Sequence, residues 1–113
     1  MRLRADFWVS AFLRRCEVDG LVAVLRRRGS PEAGAVYVKL DRLDGRAAVF
    51  GPAPQTDAES GEDRVFVRLH KDEWIEPLDA EARLRREIGF DGDIWIVELE
   101  TRDGRAPIVR VTL

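Results

Sequence analysis

Val36, Val38 and Leu40 alternate with Tyr37, Lys39 and Asp41, and this run leads directly into Asp44-Gly45. A period of two with one apolar face marks a half-buried strand, and Asp-Gly supplies the residues that a tight reversal needs. Residues 46–50 then read as the returning strand. The pattern predicts an antiparallel ladder whose apolar face must be covered by some other part of the chain.

Two segments have the periodicity to do the covering. Between Asp6, read as an N-cap, and Gly20, read as a left-handed C-terminal residue, Trp8, Phe12 and Cys16 recur at a spacing of four. Phe7, Ala11 and Leu13 widen that stripe, and Ser10, Arg14 and Glu17 occupy the opposite side, so the segment predicts a docked helix. Pro77 and Asp79 open a second helix with Ala80, Leu84 and Ile88 in line, Glu81 and Arg85 as an i,i+4 pair, and Gly89 as its end.

The remaining apolar runs read as strands. Residues 21–25 are continuously apolar, as in a strand covered on both faces, and residues 64–70 alternate like a strand near an edge. Residues 94–100 and 108–113 flank Asp103-Gly104 and predict a second hairpin. Residues 51–63 combine Gly and Pro breakers with four acids and read as a flexible acidic loop. The expected fold is a single α+β domain over residues 1–113. Its sheet is mostly antiparallel, of about five to six strands, with the two helices packed on one face.

Length and composition agree with one ordinary globular domain. The chain has 113 residues, 45% of them hydrophobic, and a net charge of −2, so it can fold by burial but has no room for a second core. No uncharged stretch approaches the roughly 18 apolar residues of a membrane helix. Asp6 and the Arg14-Arg15 pair spoil any likeness to a secretion signal, so a cytoplasmic location is expected. The single Cys16 leaves no intramolecular disulfide to form and lies in an apolar helical pattern. Seventeen of the 19 basic residues are Arg and Asn is absent, a joint bias that GC-rich coding explains better than phosphate recognition does. Charge is unevenly placed, with +4 over residues 1–28 and −6 over the remainder.

Several segments together resemble one family. These are Asp6-Phe7-Trp8-Val9-Ser10-Ala11 with Arg14-Arg15, Gly34-Ala35-Val36-Tyr37-Val38, Phe50-Gly51-Pro52-Ala53-Pro54-Gln55, and Phe90-Asp91 through Asp93, Trp95 and Glu98. In combination they resemble the alphaproteobacterial family called domain of unknown function 1491, across nearly the whole chain. The resemblance implies a small bacterial intracellular protein and brings with it no activity, cofactor or catalytic residue.

The candidate chemistry is sparse. Arg26, Arg27 and Arg28 end a strand beside Gly29, where guanidinium and backbone groups could jointly hold a phosphate or carboxylate, although a solvated strand end is the simpler reading. With Arg2, Arg4, Arg14 and Arg15 they could form a nucleic-acid face. A sequence pI of about 5.5 and the lack of a recognised motif disfavour that. His70 is the sole histidine, and none of Ser10, Ser30, Ser60 and Cys16 has a nucleophile signature around it. Asp91 and Asp93 with Glu98 and Glu100 have carboxylate spacing that could hold Mg²⁺ or Ca²⁺, but they read better as turn chemistry. Trp74, among Asp72, Glu73 and Glu76, suggests an aromatic at a rim or interface.

These readings lead to a non-catalytic protein-interaction module that self-associates as a homodimer, through a sheet edge or the Trp74 region. The alternative is an anionic-ligand or nucleic-acid binder using Arg26 to Arg28 and the first helix. The binding residues expected are Arg26, Arg27, Arg28 and Trp74. No catalytic residue, metal, cofactor or membrane contact is expected.

Overall fold

The computed structural model describes residues 3–54 and 64–112. In chain order its elements are α1 (Ala5–Val18), β1 (Val22–Arg27), β2 (Val36–Asp41), β3 (Ala47–Pro52), β4 (Val65–Arg68), α2 (Pro77–Phe90), β5 (Trp95–Glu100) and β6 (Val109–Val111). The six strands form one sheet in the order β1-β5-β2-β3-β4-β6. The pairs β1/β5, β2/β3 and β3/β4 are antiparallel, while β2/β5 and β4/β6 are parallel. The α+β class expected from the sequence is what the chain adopts.

The first hairpin forms where the alternation placed it, with Val38 opposite Phe50 and Leu40 opposite Ala48. Its turn differs in detail. Arg42 N–H donates to the Arg46 carbonyl, and the left-handed residues are Leu43 (φ 68°) and Gly45 (φ 82°) rather than the adjacent pair Asp44-Gly45. The Asp41 carboxylate draws the turn one residue forward by accepting Leu43 N–H at 2.9 Å.

The two helices lie on opposite faces of the sheet, which corrects the expectation that both pack on one. Val36, Val38, Leu40, Ala48, Phe50, Trp95, Val97 and Leu99 meet Ala5, Val9, Phe12 and Cys16 of α1. Their sequence neighbours Ala47, Val49, Ile94 and Ile96 meet Ala80 and Leu84 of α2. The physical reason lies in residues 94–97, an unbroken apolar run that is buried throughout. Successive strand residues point to opposite faces, so such a run needs cover on both.

Helix α1 is anchored at both ends. The amides of Ala5 and Asp6 donate to the carbonyls of Glu32 and Pro31, so the helix starts one residue before the expected cap, and Asp6 instead accepts Phe7 N–H and pairs with Arg4. At the other end Gly20 (φ 75°) closes a Schellman motif, with Leu21 N–H on the Cys16 carbonyl and Gly20 N–H on that of Glu17. The buried stripe runs through Val9, while Trp8 is half-buried, stacked on Phe12 at 5.1 Å and tilted against Phe66. Truncating Phe12 to Ala would cost about 3–5 kcal/mol on the usual scale for core aromatics.

Two further expectations are corrected at the sheet margins. Residues 94–113 do not form a hairpin, because both sides of β5 are occupied by β1 and β2, and β6 instead joins β4 in parallel. The connection carries Ala106 and Ile108 against the α1-side core. Strand β1, expected to be covered on both faces, is an outermost strand, with Val22 59% and Val24 51% exposed. Residues 55–63, the greater part of the expected acidic loop, lie outside the described residues, and Gly51 and Pro52 belong to β3.

Candidate functional site

The Arg26-Arg27-Arg28 run does not converge on a common point. Strand alternation places Arg26 on the α2 side of the sheet, at a bulge between Leu25 and Arg27, and its guanidinium makes two 2.7 Å hydrogen bonds to Glu81 and one of 3.0 Å to Glu98. Lys39, with a side chain only 9% exposed, donates to the same Glu81 carboxylate at 2.6 Å and lies 3.5 Å from Glu98. The bonds from Arg26, then those from Lys39, outweigh desolvation and hold the Glu81 carboxyl down to about 2. This is a closed cluster of two cations and two anions, and Glu81 is drawn into it rather than into the i,i+4 pair with Arg85.

Arg27 donates to the Gly92 carbonyl at 2.7 Å, and Arg28 lies over the Trp95 ring at 5.5 Å. The path between them is forced close to β5. A Cβ on Gly29 would collide with the Asp93 carbonyl, and Ser30 N–H donates to that carbonyl while Trp95 Nε1–H donates to the Ser30 carbonyl. The arginine run thus fastens β1 to α2 and β5 through three separate contacts.

Trp74 is half-buried. Its indole N–H donates to Glu73, Arg42 lies 4.8 Å above the ring, and Gly104 (φ 79°) packs against its six-membered ring. It belongs to the α1-side core through the same residues 101–108 that lead to β6.

His70 extends the sheet. Its Nε2 accepts Val49 N–H at 2.9 Å, and Nδ1–H donates to the Asp72 carbonyl at 2.7 Å, which fixes the neutral tautomer. Burial pushes its pKa below the ordinary value, and the Arg68 and Arg83 charges act in the same direction against the Asp72 carbonyl. Cys16 is buried and its thiol is pushed up to about 11 by that burial, a poor nucleophile. Asp91 caps its own turn by accepting Asp93 N–H, and Glu98 is held by Arg26 and Lys39. Among the described residues no group of three or more His, Cys, Asp or Glu side chains could hold a metal ion.

Two features escaped the sequence reading. The first is the β1 edge. Beside it lies an open groove of about 520 Å³ lined by Ser10, Leu13, Arg14 and Glu17 of α1 and by Leu21, Val22 and Ala23. The second is a pair of arginines, Arg68 and Arg110, each 4.9 Å from the centroid of the buried Phe50 ring. The signal for it was the placement of Arg64, Phe66 and Arg68 on one face of β4, which needs a neighbouring strand to acquire meaning.

Fold and site together define a small α/β/α-layered protein with an open sheet edge and no assembled catalytic constellation among the described residues. The chain belongs to the family described as protein of unknown function (DUF1491), whose model matches residues 3–109. It is similar to the crystal structure of a DUF1491 family protein from Caulobacter crescentus CB15, with 35% identity, a TM-score of 0.79, and coverage of 98% of this chain and 99% of that one. A solution structure of a protein from A. tumefaciens is 34% identical with a TM-score of 0.82, covering 100% of this chain and 98% of that one. Among curated proteins there is no match. No helix among the described residues is long and apolar enough to cross a membrane.

Proposed function

We propose that this chain is a non-catalytic interaction module that self-associates through the outer edge of β1. The observation that carries the reading is the character of that edge. Val22, Ala23, Val24 and Leu25 form an apolar outer strand with neither proline nor lysine to blunt it, and the Arg26 bulge comes only after these residues. An antiparallel pairing of two copies about Ala23 would set Val22 of each opposite Val24 of the other on one face, a favourable cross-strand match. The adjoining groove carries both Arg14 and Glu17, so a two-fold operation can bring unlike charges together. The edge supports this reading better than Trp74, which Arg42 and Gly104 already cover.

Sedimentation analysis of the purified chain tests the proposal. A dimer is expected, and a chain carrying Val22→Lys and Val24→Lys is expected to sediment as a folded monomer, because both side chains are already solvent-exposed. A natural chain that stays monomeric at high micromolar concentration, or a dimer indifferent to both changes, would overturn it.

A further inference from the structure

Among the described residues, several cations packed along the sheet face a carboxylate. Arg26 and Lys39 face Glu81 and Glu98, Arg83 faces Glu87, and Arg42 faces Asp44. Arg68 and Arg110 do not. Among the described residues neither makes an ion pair, Arg68 Nε is buried without a hydrogen-bond partner, and Arg110 donates to the Gly104 carbonyl at 2.7 Å. Neighbouring strands hold them together: Arg68 on β4 is opposite Phe50 on β3, Arg110 on β6 is opposite Phe66 on β4, and both guanidiniums reach the Phe50 ring. Burial lowers the Arg110 pKa and the Arg68 charge lowers it further, as expected of two like charges sharing a site without a counterion.

The geometry points to an anion site at Arg68 and Arg110 over Phe50, suited to the phosphate of a small phosphate monoester. Two guanidiniums present forked donors and a double positive charge, which a phosphoryl dianion balances and a single carboxylate does not. The site suits a small ligand better than a nucleic-acid strand, because Phe50 is fully buried and cannot stack on a base, and the whole chain carries a net charge of −2. This site is separate from the β1 edge, at the other margin of the sheet, and stands whether or not the chain dimerises.

The test is a titration followed by the arginine side-chain Nε–Hε signals in NMR, at constant ionic strength, with inorganic phosphate, a nucleoside monophosphate and acetate as probes. Saturable shifts at Arg68 and Arg110 are expected with both phosphates, with acetate weaker by about tenfold or more, the effect of one lost charge-assisted hydrogen bond. Arg68→Gln and Arg110→Gln should each weaken phosphate binding by about tenfold or more on the same scale, with the amide spectrum retained. Arg68→Lys, which keeps the charge and loses the fork, should fall between. Arg85→Gln, on the exposed side of α2, serves as the control and should leave binding unchanged. Equal affinity for acetate, shifts that do not saturate, or phosphate shifts that survive both Gln variants would overturn the assignment. An affinity for an oligonucleotide that rises with its length would overturn the small-ligand class.

Discussion

Arg26 and Arg68 both reach across the sheet surface from strands, yet they meet opposite surroundings. Around Arg26 the chain has collected Lys39, Glu81 and Glu98 from two other strands and a helix, so that every charge is met at 2.6 to 3.5 Å. Around Arg68 it has placed a second arginine and a phenyl ring. The difference teaches that arginine content says little until partners are known, since the sequence run of three is structurally consumed while the isolated arginines are electrostatically unfinished. Stability should therefore respond very differently at the two places.

The largest contrast is expected from Glu81→Gln. Removing one carboxylate leaves Lys39 and Arg26 to share Glu98, and a loss of about 2–3 kcal/mol is expected, below the full buried-pair cost because the cluster is partly solvated. Urea unfolding at neutral pH measures it, and a loss under about 0.5 kcal/mol would remove the distinction between the two regions. The same cluster governs behaviour in acid. Glu81 ordinarily titrates near 4.5 and is held at about 2 here, so its contribution is complete above 4.5 and is lost as pH falls toward 2. Unfolding curves of the natural chain and of the Gln variant should converge across that window.

His70 offers an intermediate effect on the Arg68 side. His70→Phe would orphan the Val49 N–H that the imidazole accepts and should cost about 1–3 kcal/mol, read by urea unfolding and by faster exchange of that amide. Because the folded-state pKa is lowered, the unfolded chain takes up the proton first. The contribution is complete above about 6.5 and declines as pH falls below it. Arg68→Gln should raise the His70 pKa by removing a nearby positive charge, which an imidazole NMR titration would read directly. The smallest effect is expected in the stability of that same variant, within about 0.5 kcal/mol of the natural chain because relief of repulsion from Arg110 offsets the lost contact with Phe50. A loss comparable to that at Glu81 would show that Arg68 is as well satisfied as Arg26.

Much of the local structure was legible because its causes are local. Gly20 after an apolar stripe, Pro77 before one, and alternation around Asp44-Gly45 each act within a few residues, and the corresponding helix ends and hairpin are found. What was not legible depends on strand order. Residues 21–25 are as apolar as a central strand, yet β1 lies outermost, and only the position of β5 decides that. Asp103-Gly104 reads as a hairpin turn, but β5 has no free side on which to receive β6. The candidate site followed the same rule. The run Arg26-Arg27-Arg28 was visible and proved to be fastening, while Arg68 and Arg110, 42 positions apart, become neighbours only through the parallel pairing of β4 and β6.

The insertion of β5 between β1 and β2 has a kinetic consequence. Val24 pairs with Glu98 and Val38 with Val97, contacts that span most of the chain, whereas the β2/β3 hairpin closes over a short loop. During synthesis the first two strands would therefore wait with a vacant slot between them until nearly the whole chain has emerged. Such non-local closure slows folding and lengthens the time that apolar strand edges stand open. The interval before β5 arrives is thus when this chain is most exposed to aggregation, and a nascent chain halted before Ile94 would carry that vulnerability permanently.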